Sequence, residues 1–437
     1  MDLLFISPRW EKFKHWPFHM SLLGPLTVAG LTPAPHAVTY IDENVQPIDF
    51  DLRPDAVIIS AMSVQAQRGY EIAQKFKAAG IAVIMGGLHA TLLPDEVASF
   101  VSCVAVGEAE LIWPQILADL DRGELRPLYK TDQKADISCG NSCFPRRDLL
   151  RLTGYTKTMS GQRVIDTIQS GRGCARECPD CNIPLVSGRR FRPRKIEDVL
   201  AEIETIEAKF LFFVDDSITD CREYFLQLFT AMKGMGKSWM SVGALHLVHD
   251  PQLLQAMVDS GCRVLYIGFD RLDPSWRPRH GAQARHDLYR LDIKKYDINF
   301  KQDFLKQPDP YHEAIKRLKE AGISLIGTFA FGFDIDDEHV FEKSLDFALA
   351  SQLNLADFSI VVPYPRSPLA LKLENENRII TSDWSKYNGM HVVFRPLQMD
   401  PEKLMSGTEW VWQQWNKNRP IFRNMIRVFG EPAENVP

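Results

Sequence analysis

Short apolar runs alternate with amphipathic stretches along most of this chain, and they do so in two separate series. A strand followed by a crossover helix pairs in parallel with the next strand, so each series calls for its own parallel sheet with helices packed on it. The first series has candidate strands at Asp2–Ile6, Ala37–Ile41, Ala56–Ser60, Ile81–Met85 and Cys103–Val106, with helical patterns at Gln67–Ala79 and Glu110–Asp121. The second has strands at Val164–Gln169, Phe210–Val214, Trp239–Ala244, Val264–Phe269, Leu325–Phe331 and Asp357–Val362. Its helical patterns are Ile196–Ala208, Cys221–Met232, Pro251–Val258, Tyr311–Ala321 and Val340–Ala350.

The fold class is therefore α/β. Residues 1–125 form a Rossmann-like domain, and residues 161–366 a partial (β/α)6 barrel, because six units in a row suit a curved sheet better than a flat one. Residues 126–160, rich in Pro, Gly, Ser, Asp and Arg, read as a connector, and 367–437, with Trp384, Trp410, Trp412 and Trp415, as a mainly helical C-terminal region. Core packing is the expected role of those tryptophans. The polar insertion Pro274–Pro310 is long enough to expect a functional or mobile loop.

A net charge of −5 and a pI near 6.2 argue against nucleic acid as the main partner. No apolar run reaches membrane-spanning length and the N-terminus lacks the pattern of a secretory signal, so a cytoplasmic protein without a membrane span is expected. The cysteines then carry the chemistry. Eight are present, and three fall in Gly171-Arg-Gly-Cys174-Ala-Arg-Glu-Cys178-Pro-Asp-Cys181, directly after a predicted strand. Two glycines permit a tight loop around an inorganic core, and iron–sulfur clusters are held by cysteine thiolates. Three ligands leave one iron of a four-iron cube open. Structural zinc wants four closed ligands, and the next Cys or His after Cys181 is Cys221. Cys139 and Cys143 read as a surface pair, and Cys103, Cys221 and Cys262 as small apolar residues. The basic run Gly188–Lys195 reads as a solvated or acidic-cofactor-facing segment.

The Cys-x3-Cys-x2-Cys spacing after the first strand of a βα series resembles the radical S-adenosylmethionine superfamily. The resemblance implies a [4Fe–4S] cluster on Cys174, Cys178 and Cys181, whose open iron chelates S-adenosylmethionine and cleaves it to a 5′-deoxyadenosyl radical. It also implies contacts to S-adenosylmethionine from the later strand ends. Asp215 and Asp216 would take the ammonium group, with a helix N-cap as the alternative. Gly268 and Asp270 would reach the ribose; Gly327 and Phe331, with Gly332, the adenine, with packing glycines as the alternative; and the Pro363-Tyr364-Pro365 turn the adenine edge, with a structural turn as the alternative. This chain departs from the family pattern in carrying Asp180, not an aromatic residue, before the third cysteine.

The first domain resembles the cobalamin-binding domain that precedes some members of that superfamily. The implied corrin contacts are Ser60, Met62, Ser63, Val64, Gln65, Gly86, Gly87, His89, Gly107 and Glu108. The alternative is a flavodoxin-like domain without a ligand. The Asp-x-His-x-x-Gly signature of axial-histidine donors is absent, and His89 is expected beside the Gly-Gly turn. The C-terminal segments Asp383-Trp-Ser-Lys-Tyr387 and His391-Val-Val-Phe-Arg-Pro396 are similar to those of methyltransferases acting on hopanoids, bacteriochlorophyll side chains and natural products. The resemblance implies a cobalamin-dependent C-methyltransferase acting on a small molecule, with a flavodoxin or ferredoxin as electron donor. A ring-forming or oxidative enzyme with the same cofactors is the nearest alternative, and an iron–sulfur and corrin-binding sensor the non-enzymatic one.

Overall fold

In the computed structural model, the structure describes residues 1–10, 20–138, 144–150, 165–176, 178–216, 218, 221–269 and 310–419. Cys139, Cys143, Ser217, Asp270 and residues 274–309 of the insertion lie outside the described residues.

The first sheet comprises β1 (Asp2–Ser7), β2 (Ala37–Asp42), β3 (Ala56–Ser60), β4 (Ala82–Gly86), β5 (Cys103–Val106) and β6 (Leu128–Lys130). All pairs are parallel, in the order β2-β1-β3-β4-β5-β6. Its central strands are apolar on both faces because both faces are covered. Leu4, Ile6, Val57 and Ile59 pack with Tyr70, Ala73 and Phe76 of the helix Ala66–Ala78. Leu3, Phe5, Ile58 and Ile84 pack on the other face with Leu26 and Trp113, from the helices Leu23–Gly30 and Ala109–Asp121. The chain leaves β1 to one side and returns to β3 on the other, so the strand-end loops diverge there and open a crevice. Strand β6 lies in the expected connector, so the first sheet extends beyond residue 125.

Two residues each form β8 (Gly171–Arg172) and β9 (Arg192–Pro193), an antiparallel hairpin set between β7 (Ile165–Ile168) and β10 (Phe210–Phe213). With β11 (Ser238–Val242), β12 (Cys262–Gly268), β13 (Ser324–Phe331) and β14 (Leu355–Ile360), strands β7 and β10 form a parallel sheet in chain order. Its two edges, β7 and β14, are not paired with each other. Leu211, Phe213, Leu265, Ile267, Phe329 and Phe358 point outward into the large core shared with the helices. Ile165, Phe210, Met240, Val264, Ile326 and Leu355 point the other way and form a separate apolar layer on the inner face. The C-terminal helix Pro401–Asn418 covers the β14 side, where the Trp412 indole donates to the Phe358 carbonyl at 2.7 Å and Trp415 is fully buried. Among the described residues no helix is long and apolar enough to cross a membrane.

Candidate functional site

The three cysteines sit on a loop whose two ends are clamped by the β8–β9 hairpin. Local backbone explains the glycines that frame it. Gly173 has φ +98°, and a Cβ there would meet the Arg190 carbonyl oxygen at 2.1 Å; a Cβ on Gly171 would meet the Phe191 ring at 2.2 Å. The Cys174 N–H donates to the Gly188 carbonyl at 3.1 Å and the Cys181 N–H to the Cys178 carbonyl at 3.2 Å. Cys174 is buried, Cys178 and Cys181 are half-buried, and none is in a disulfide. The Ile183 N–H donates to the Cys181 Sγ at 3.4 Å, the kind of N–H···S contact that supports a cluster ligand. Burial, with the charges of Asp180 and Asp216, holds that thiol above its usual range against the Ile183 N–H. A bound iron would reverse that balance. Among the described residues no group of three His, Cys, Asp or Glu side chains suits a single metal ion.

The turn after β14 closes on this loop. The Leu369 N–H donates to the Pro179 carbonyl at 2.7 Å, and the Tyr364 phenol is raised by the protein atoms crowded around it and by the nearby Asp180 and Cys181 charges, although part of the side chain stays open. Tyr364 is 40% exposed while Pro363 is buried, so the tyrosine is the member of the turn that faces open space beside Cys181. Gly268 is exposed at the end of β12.

Other expected contacts are placed differently. Asp215 is fully buried and takes the Ser170 N–H at 3.0 Å and the Ser170 hydroxyl at 2.7 Å, tying the end of β10 to the end of β7. Asp216 takes the Gly173 N–H at 2.7 Å and so braces the residue before Cys174. Neither caps a helix, since the helix Arg222–Met232 begins after Cys221. A Cβ on Gly327 would meet Leu353 at 2.4 Å, so that glycine serves packing against the outer layer. Phe331 is buried there between Phe341 and Phe358 and does not face the site. Gly332 would meet Leu404 at 2.8 Å, again a packing constraint.

Burial raises the Asp215 carboxyl to about 7, against the Ser170 hydrogen bonds. A carboxyl raised in the folded state binds its proton more tightly than in the unfolded chain, so its effect on stability appears between the two values. Stability is therefore expected to fall as pH rises from about 4 to about 7, by up to about 4 kcal/mol from this group. Chemical denaturation across that range should show the fall in the parent chain and a flatter profile in Asp215→Asn.

A cavity of about 660 Å3 lies between the two sheets. Its walls come from the loops after β1, β3, β4 and β5, from the start of the helix Leu23–Gly30, and from Thr167, Gln169, Arg172, Ser187 and Val214 around the base of the cysteine loop. Ser60, Met62, Gln65, Gly87, Gly107 and Glu108 line it. In the turn that holds Met62 and Gln65, the Ser63 hydroxyl is buried without a hydrogen-bond partner. Ser63, Val64 and Gly86 do not line the cavity, and Gly86 backs onto Ala105. The strand-end glycines answer backbone crowding: Gly87 (φ +93°) abuts the Ala61 backbone and Gly107 (φ +100°) the Thr131 carbonyl. His89 is fully buried elsewhere, its Nε2 2.8 Å from the Tyr70 hydroxyl and its ring edge-on to Trp384. Glu96 accepts from both Tyr70 and the Trp384 indole at 2.8 Å, so this group joins the first domain to the C-terminal region and not to the cavity.

Two ion pairs latch the loop after β5 onto the hairpin that frames the cysteines. Glu110 pairs with Arg172 at 2.7 Å, and Glu108 with Arg192, which also donates to the Ala135 carbonyl at 2.8 Å. Burial pushes the Glu110 carboxyl up, and Arg172 outweighs it and holds the group below the usual range. Arg194 is likewise tied to Glu202 at 2.6 Å, so these two members of the basic run are structural cations and not a solvated face. Sequence reasoning had no sign of this latch, because its partners are 62 and 84 residues apart.

Residues 168–348 match the model of the Radical SAM superfamily. The chain is 28% identical over 95% of its length to bacteriochlorophyllide d C-12(1)-methyltransferase of Chlorobaculum tepidum, covering 86% of that protein. It is 23% identical over 87% of its length to hopanoid C-2 methylase of Rhodopseudomonas palustris, covering 71% of it. Among solved structures it resembles the radical S-adenosylmethionine methyltransferase TsrM of Kitasatospora setae, with TM-score 0.63, 13% identity, and coverage of 94% of this chain and 88% of that one. The cobalamin-dependent S-adenosylmethionine radical enzyme OxsB matches with TM-score 0.65 and 12% identity over 95% of this chain and 67% of that one.

Proposed function

Because the chain is a radical S-adenosylmethionine enzyme, its domain of that superfamily spanning residues 168–348, we propose that it methylates an unactivated carbon of a tetrapyrrole or polycyclic apolar substrate. Its cofactors in this reading are a [4Fe–4S] cluster, S-adenosylmethionine and cobalamin. The observation that carries the reading is the cavity walled on one side by strand-end loops of the first sheet and on the other by the base of the cysteine loop. A corrin lodged there would lie beside the cluster, and proximity is the main device when two reagents must meet one carbon. The methyltransferase names of the relatives from Chlorobaculum and Rhodopseudomonas support the reaction class.

When bound, the cluster supplies the electron that cleaves S-adenosylmethionine, and the corrin supplies the methyl group. The chain's own part is placement. Cys174, Cys178 and Cys181 would hold the cluster, with Asp216 and the hairpin fixing the loop that carries them. Tyr364 and Gly268 border the open side where S-adenosylmethionine would lie. Met62, Gln65 and Thr91 border the corrin cavity. No histidine lines that cavity, and His89 is engaged with Tyr70, so the cobalt would take no histidine ligand from the described residues. A small reduced redox protein would serve as electron donor.

The test is anaerobic turnover of reconstituted protein with methyl-labelled S-adenosylmethionine, offering bacteriochlorophyllide d and a hopanoid in separate reactions. Label in the recovered substrate, with both 5′-deoxyadenosine and S-adenosylhomocysteine formed, is the expected result. Substrate-dependent 5′-deoxyadenosine with no label transferred would replace methylation with a ring-forming or oxidative reaction.

A further inference from the structure

The inner face of the second sheet is built in ranks, because alternate residues of neighbouring parallel strands point the same way. Its lowest rank is the apolar layer of Ile165, Phe210, Met240, Val264, Ile326 and Leu355. Two residues further along β7, β10, β12, β13 and β14 stand Thr167, Phe212, Tyr266, Thr328 and Asp357, on the same inner face; Phe212 lies level with Thr167 and Thr328 with Asp357, while Tyr266 lies level with Ile326. None of these is fully exposed, yet Asp357 stands out among them. Its Oδ1 is buried and has no hydrogen-bond partner. Burial without a partner raises its carboxyl to about 6, and its charge in turn helps to raise the Tyr266 phenol, itself first raised by burial, so the two groups are neighbours.

A buried acceptor left unsatisfied costs free energy comparable to a lost hydrogen bond, and folding alone gives no reason to keep one. The surroundings indicate what would satisfy it. The Phe212 and Tyr266 rings are near parallel, with centroids 6.1 Å apart, and both are half-buried against the apolar layer. Thr167, on the same inner face, also lines the cavity between the sheets. Depth separates Asp357 from the cluster loop: it lies three residues, about 10 Å, below the end of β14, whereas Tyr364 beside Cys181 lies beyond that end.

We infer that Asp357 is a substrate-binding residue, accepting a hydrogen bond from an N–H or O–H group on a flat, apolar substrate seated against Phe212 and Tyr266. This rests on the reading of the chain as an enzyme acting on such a substrate, and it names the one polar feature that substrate must carry. A carboxylate in an aromatic-walled space rejects an isosteric molecule without the donor, because its own oxygen then stays unpaired.

Two probes of nearly equal shape test this on anaerobically reconstituted protein: 2-naphthol, which has one O–H donor, and 2-methoxynaphthalene, in which that donor is blocked. Calorimetric titration should show 2-naphthol binding about tenfold or more tightly, the range expected for a hydrogen bond to a charged acceptor. Asp357→Leu should abolish the preference while leaving 2-methoxynaphthalene binding intact or stronger. Asp357→Asn, which keeps an acceptor oxygen without the charge, should retain a reduced preference; a merely structural role would not sort the variants in this order. Equal affinities in the parent chain, or an unchanged preference in Asp357→Leu, would overturn the inference. Methyl transfer is scored in its own assay. A donor preference that follows Asp357 in a chain that transfers no label would sustain this site and reject methylation, and the converse pair of results would do the opposite.

Discussion

Replacing any one of Cys174, Cys178 and Cys181 with alanine is expected to remove the iron and the activity together. The parent chain, reconstituted anaerobically, should hold about four irons and show the broad absorbance near about 400 nm that thiolate-to-iron transitions give. Each alanine variant should hold well under half that iron, with 5′-deoxyadenosine formation reduced by at least about a thousandfold, or about 4 kcal/mol in barrier terms. The size of the effect follows from geometry. All three sulfurs belong to one short loop, clamped at its base by the β8–β9 hairpin, and among the described residues no other Cys, His, Asp or Glu group suits a metal ion. Circular dichroism should stay close to the parent trace, because the two large cores do not depend on the loop.

The second large effect falls on stability. Arg172→Ala is expected to cost about 2–4 kcal/mol, since removing Arg172 leaves the largely buried Glu110 carboxylate without its ion-pair partner. The figure sits below that for a fully buried pair because the Arg172 side chain keeps 20% of its exposure. Glu110→Gln should cost less, and the double variant less than the sum of the two. A double-mutant cycle by thermal or chemical denaturation measures that coupling. Iron content should persist in Arg172→Ala, because the sulfurs are untouched. Additive costs would mean that the latch between the two sheets carries no energy of its own.

Much of this was legible because the relevant signals are local. The central strands of the first sheet, such as Leu3–Ile6 and Val57–Ile59, are buried on both faces and so leave continuous apolar runs in the sequence. The cysteine loop was legible for the same reason, since ligands and glycines fall together. Strand β6 was missed because it is an edge of three residues, two of them exposed. The helix Leu23–Gly30, with Gly24 and Pro25 at its start and almost no polar face, gives no amphipathic period, yet its beginning walls the cavity.

Roles set by distant partners were not legible. Asp215 reads like a strand-end ligand, but its fate is decided by Ser170, 45 residues earlier. Gly327 reads like room for an adenine ring, and only the position of Leu353 shows that the missing side chain faces the helices. His89 reads as a residue beside the Gly-Gly turn, while Tyr70 and Trp384 hold it in a different interface. Asp357 was legible only as the start of a strand. Its unpaired oxygen is a property of the assembled inner face.

The most direct test of the whole account is electron paramagnetic resonance of the reduced, reconstituted chain before and after adding S-adenosylmethionine. A cluster held by three cysteines and open at its fourth iron predicts a [4Fe–4S]+ signal that changes shape when S-adenosylmethionine is added. A signal unmoved by saturating S-adenosylmethionine, or a chain that takes up zinc and no iron, would contradict it.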